Sequence, residues 1–253
     1  MRQSPYEYQE VRLSFGGGLT PTLRILLIVN AAVFALEALL GLGSGGPARQ
    51  RIVQDALALT PWEVIHHGRI WQLVTYAFLH AGVTHLLFNL LALWMFSGEI
   101  ERAMGSRRFA AFYLLCALGA GVTTVFLRWS SPHPTLGASG AVYGVLLAYG
   151  LLFPDRILYL YFIFPLRARI VVAAFAVLEL FLSVAATHDG IAHLTHLGGM
   201  LTAWLWLRGT GPGGLWMRWR RRRLRRRLKV IDTRRLRRFD PPPRGRGSSF
   251  RDR

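Results

Sequence analysis

Cysteine occurs once in 253 residues, at Cys116, so no disulfide can close within the chain. Acidic residues are scarce: 13 Asp or Glu stand against 31 Lys or Arg. No metal-ligand or nucleotide-binding motif is present, so no cofactor is implied. The first 20 residues are polar and lack an apolar core or a small-residue cleavage site. No removable signal peptide is therefore expected, and the first apolar run is expected to act as its own insertion signal. What the chain does have is 52% hydrophobic residues together with a formal net charge of +18. One soluble domain rarely holds both, because the first must be buried and the second solvated. Position separates them, since 17 Lys or Arg lie from Arg218 onward and the long apolar runs all precede that point. The pattern is that of a multispan membrane protein with a basic tail.

Six spans are predicted, at roughly 23–42, 84–100, 109–127, 137–153, 170–187 and 191–207. About 20 residues cross the ~30 Å hydrocarbon layer. The second and fourth spans are short enough that one end of each is expected inside the membrane region, against protein or a water-filled cavity. The expected division is a cytoplasmic segment 1–22, a six-span unit 23–207 and a basic, partly disordered tail 208–253. Residues 43–83 form a long first loop rich in Trp, Phe, Tyr and His, which suits an interfacial position. Residues 154–169, "PDRILYLYFIFPLRAR", read as a connection. Arg102, Arg107 and Arg108 follow span two, Arg156, Arg167 and Arg169 follow span four, and Arg208 and the tail follow span six. The positive-inside rule then puts both termini in the cytoplasm, with the long loop outside. The tail is expected to rest on anionic lipid headgroups. Nucleic acid is the weaker candidate partner, because there is little aromatic interleaving and no module signature.

Three spans carry polar groups at helical spacing. His85 and Asn89 are four apart in "HAGVTHLLFNLLALW", on one face and one turn apart. Ser139 and Tyr143 are likewise four apart in "GASGAVYG", and "IAHLTHLGG" carries His193 and His196. Each has an ordinary structural reading. Ser139 among Gly137, Gly140 and Gly144 suits small-residue packing. His85 and Asn89 suit helix cross-linking, and His196 suits a buried position on a small-residue face. Together they supply a nucleophile, a base and donors for an oxyanion, which is the set acyl transfer requires. Pro132 and Pro134 exclude a helix through that stretch, so span four should start near 135–138 with Ser139 in its first turn. Backbone N–H groups there have no intrahelical partner.

The segments "GASGAVYG" (137–144), "HAGVTHLLFN" (80–89) and "HLGG" (196–199) resemble, in order and spacing, the signatures of rhomboid intramembrane serine proteases. "GRIWQLVTYAFLH" before span two and "GEIERAMGS" (98–106) after it fit the same pattern. The resemblance covers about residues 20–207. It implies an all-α, six-transmembrane-helix bundle with a long interfacial first loop. It further implies a Ser–His dyad that cleaves transmembrane segments of membrane protein substrates, without a cofactor. Ser139 becomes the nucleophile and His196 the base, because His196 directly precedes Leu-Gly-Gly. His85 and Asn89 become oxyanion donors alongside the Ser139 amide, and Tyr143 stacks on His196. Gly137 and Gly140 support the site, while His80, Trp71 and Glu101 hold the outer loop. Relatives often have Trp-Arg where this chain has Trp71-Gln72. No carboxylate is evident near His196 in sequence. A multi-pass protein of the cell (plasma or inner) membrane is implied. Two other classes remain: a catalytically inactive relative that binds membrane clients, and a small proton-coupled transporter. Loss of Ser139 or His196 would mark the first. Internal repeats and mid-span carboxylates would mark the second. Only Glu37 and Glu179 lie away from span ends, and no repeat is visible.

Overall fold

The computed structural model describes residues 18–43, 45–160, 164–185 and 190–209. The N-terminal segment and basic tail of the sequence reading lie almost wholly outside the described residues. The described chain is mostly helical, with four helices long and apolar enough to cross a membrane. The first is α1 (Pro21–Leu40), which starts on a proline, where the missing N–H had no intrahelical partner to lose. The following stretch is not irregular. It folds into α2 (Gly46–Leu57), α3 (Pro61–His67), α4 (Gln72–Thr75) and one 3-10 turn, Tyr76–Phe78.

Next come α5 (Val83–Met104) and α6 (Ser106–Leu127), the second and third long apolar helices. They are separated by Gly105 alone, whose φ of 87° reverses the chain in one residue. The short α7 (Ser139–Leu152) follows, then strands β1 (Ile157–Leu160) and β2 (Phe164–Arg167). The fourth long apolar helix, α8 (Ala168–Ala185), precedes α9 (Gly190–Arg208).

The centre of the molecule is α7, which packs against α5, α6, α8 and α9. Its buried residues are mostly small or branched: Gly140, Ala141, Val142, Gly144, Val145, Ala148 and Gly150. A Cβ on Gly144 would lie 2.7 Å from Cys116 Sγ, and one on Gly199 would overlap the Gly140 carbonyl. Helix α7 therefore meets α6 and α9 at near-backbone distance, the association that small residues allow in an apolar solvent. The outer surface is the reverse of a soluble protein's. Helix α8 turns Val177, Phe181 and Val184 outward, at 65%, 65% and 82% exposure. Helix α1 exposes Ile25, Ile28 and Leu36, while Asn30 and Glu37 are buried. An apolar exterior over a partly polar interior marks a multi-pass membrane protein.

Three sequence expectations change. Helix α5 has 22 residues, so the second span is not short. It continues past the apolar run, with Glu101 in its last turn. The connection 154–169 contains an antiparallel pair, with Ile157 opposite Arg167 and Leu160 opposite Phe164. The fold is thus not purely helical. Ile157, Tyr159 and Phe164 favour extended backbone, and this pull wins where no helix packing opposes it. Thirdly, Glu101 does not hold the outer loop. It accepts hydrogen bonds from the backbone N–H groups of Thr22 and Leu23, each at 2.9 Å, and caps α1. Four N–H groups at a helix start have no internal partner, and a carboxylate is the strongest acceptor for them.

Candidate active site

Ser139 is the first residue of α7, as the prolines before it dictate. The approach segment is fastened on both sides. Leu59 and Thr135 exchange two backbone hydrogen bonds, at 2.9 and 2.8 Å, and the Gly137 N–H donates to the Tyr76 carbonyl at 2.9 Å. Gly137 has a φ of 130°, and a Cβ there would lie 2.6 Å from the His85 ring. Only glycine gives both the backbone angle and room for His85.

His196 lies in the second turn of α9, with Nε2 2.8 Å from Ser139 Oγ. One residue earlier, Thr195 Oγ1 is 2.6 Å from Thr124 Oγ1, a polar clasp between α9 and α6. Tyr143, one turn after Ser139, stacks its ring on His196 with centroids 4.3 Å apart and planes 11° from parallel. His85 and Asn89 line the same cavity of about 450 Å³ as Ser139 and His196. The Asn89 amide donates to the His85 carbonyl at 2.9 Å. The His80 ring lies edge-on to His85 at 5.2 Å, buried in the loop before α5.

The first loop is held by Gln72, which is fully buried. Its oxygen accepts the Thr60 N–H at 3.1 Å and its nitrogen donates to the Asp55 carbonyl at 3.0 Å. A neutral amide offers both a donor and an acceptor here, and arginine offers only donors. Trp71 Nε1 donates to the Ala56 carbonyl at 2.8 Å, so it ties α2 to the start of α4.

The structure also places beside His196 a carboxylate that the sequence marks only as a mid-span acid. Glu179 of α8 is 4% exposed. Its Oε2 accepts from His193 Nδ1 at 2.7 Å and from His196 Nδ1 at 3.1 Å. The donor atoms of Glu179, His193 and His196 all lie within 4.8 Å of one another, close enough to hold a metal ion. The available sequence signal was a lone acid inside the apolar run of α8.

Ser139 Oγ thus lies within hydrogen-bond reach of the His196 imidazole, beside helix-start amides and an apolar cavity, an arrangement that can activate a serine oxygen. The Rhomboid domain family matches residues 67–211. The chain belongs to the rhomboid family. It is 35% identical over 126 residues to Rhomboid protease GluP of Bacillus subtilis, covering 50% of this chain and 24% of that protein. It is 30% identical over 194 residues to the mitochondrial RHOMBOID-like protein 12 of Arabidopsis thaliana, covering 70% and 55%. It is 32% identical over 187 residues to the mitochondrial Rhomboid protein 1 of Saccharomyces cerevisiae, covering 70% and 49%. The chain thus spans about half or less of the length of these relatives.

Proposed function

We propose that the chain is an intramembrane serine endopeptidase that cleaves transmembrane segments of membrane protein substrates. The observation that carries this reading is the 2.8 Å contact between His196 Nε2 and Ser139 Oγ at the wall of an apolar cavity. Ser139 Oγ attacks the scissile carbonyl as His196 Nε2 takes the hydroxyl proton. His196 then returns that proton to the leaving amine, and water hydrolyses the acyl-enzyme. The Ser139 N–H, His85 and Asn89 face the oxygen on which negative charge develops. Small or helix-breaking residues at the substrate's cleavage site lower the cost of unwinding it.

Six helices, α1 and α5 to α9, cross the membrane in this reading. Helix α7 has 14 residues, about 21 Å, so its Ser139 end lies below the membrane surface. The arginine pattern supports cytoplasmic termini in the cell membrane, with the basic tail on anionic headgroups. Family membership and the intact Ser139–His196 pair support catalysis over client binding alone. The experiment is cleavage of a panel of single-span substrates by the purified protein and by Ser139→Ala. Cleavage by the first and not the second is expected. Equal cleavage by both would end the reading.

A further inference from the structure

His196 has two ring nitrogens, and both are in use. Nε2 faces Ser139 Oγ at 2.8 Å, while Nδ1 faces Glu179 Oε2 at 3.1 Å. We infer that Glu179 is a positioning residue that turns the Ser139–His196 pair into a three-membered series, with His193 holding the carboxylate in place. This rests on the proposed reading of Ser139 as nucleophile and His196 as base.

The chemistry follows from what each group can donate. A neutral imidazole carries one N–H, and an ionised carboxylate only accepts. The contact with Glu179 therefore sets the His196 proton on Nδ1. Nε2 keeps its lone pair, aimed at the Ser139 hydroxyl, which is the tautomer a base needs. When the serine proton arrives on Nε2, the ring becomes a cation. Glu179, without itself taking a proton, offsets that charge where little water screens it.

The surroundings support the assignment. A buried carboxylate must be compensated, and two imidazole donors on one oxygen do that. His193 binds Oε2 at 2.7 Å from one turn earlier in α9, so the carboxylate is held from two points on that helix. The Tyr143 ring stacks on His196 from the α7 side. Three helices thus converge: α7 brings Ser139 and Tyr143, α8 brings Glu179, and α9 brings His193 and His196.

A plain structural role is the competing explanation, in which two histidines merely neutralise a buried acid. Glu179→Gln separates the two, because it keeps the shape and an acceptor but removes the charge. The readouts are the rate of fluorophosphonate labelling of Ser139 per folded molecule, and kcat and KM on a single-span substrate. Loss of the carboxylate from a serine triad costs about 10⁴-fold in well-studied enzymes. For Glu179→Gln we expect at least ~10²-fold in labelling rate and in kcat, with KM within about 2-fold. In a His196→Ala background, Glu179→Gln should add nothing, because Glu179 acts only through that ring.

Labelling and kcat at the wild-type level in Glu179→Gln would overturn the inference. Loss of wild-type labelling on treatment with EDTA would overturn it too, by assigning the cluster to a metal. Should Glu179→Gln fail to fold, Glu179→Asp takes its place. It keeps the charge and shortens the reach by one methylene, and the same non-additivity with His196→Ala is expected. Failure of the serine reading itself looks different, since Ser139→Ala would then label and cleave like wild type.

Discussion

The rings of Tyr143 and His196 lie 11° from parallel with their centroids 4.3 Å apart. The stack packs Tyr143 on one face of the imidazole, whose two nitrogens meet Ser139 and Glu179. Tyr143→Ala should release the ring and lower kcat about 10-fold, since small misplacements of catalytic groups are costly. Tyr143→Phe keeps the stack and should retain more activity than Tyr143→Ala. Steady-state kinetics on the two variants, with equal folded fractions, checks this.

Asn89 donates to a carbonyl of its own helix at rest, so its loss removes little cross-linking between helices. Asn89→Ala should lower kcat about 10-fold with KM little changed. Loss of one oxyanion donor typically costs about 10²–10³-fold, and the other two proposed donors, His85 and the Ser139 amide, remain. A variant with wild-type kcat and only a lower unfolding temperature would restrict Asn89 to structure.

Substitution of Gly137 should disturb both the backbone and His85, a proposed oxyanion donor. Alanine there would face a φ of 130° and a Cβ 2.6 Å from the His85 ring. Gly137→Ala should cost about 1–3 kcal/mol of stability and lower kcat by more than Asn89→Ala does. Thermal unfolding and kinetics in one detergent measure both.

Burial, and then the neighbouring His85, push His80 down to about 4. An unfolded histidine titrates near 6.5. Between those values the unfolded chain binds the extra proton, so stability should fall as pH drops from about 6.5 to 4. The slope due to this one residue is at most about 1.4 kcal/mol per pH unit. His80→Phe should flatten the dependence of the unfolding temperature on pH in that window. An unchanged pH dependence would show that His80 does not cause it.

The parts of the site legible in the sequence are those encoded by short spacing. Ser139 and Tyr143 share a helix face, as do His85 and Asn89, and the prolines before Ser139 set the start of α7. The parts that were hidden depend on which helices become neighbours. Glu179 meets His196 across 17 residues and two helices, and no local spacing records that. Glu101 was assigned to the outer loop from resemblance, yet it caps α1 across 79 residues. Gln72 stands where relatives often have arginine, and the reason lies in its buried partners, which include the Thr60 N–H that needs an acceptor. The strand pair β1–β2 lies in a run that its flanking prolines and arginines mark only as a connection.

Activation of Ser139 by His196 is the central step of the proposed mechanism. The direct measurement is fluorophosphonate labelling of the purified protein and of His196→Ala, with the adduct mapped by mass spectrometry. One adduct is expected, on Ser139, formed by the wild type and absent from His196→Ala. An adduct on another residue, or equal labelling of Ser139 in both proteins, would contradict it.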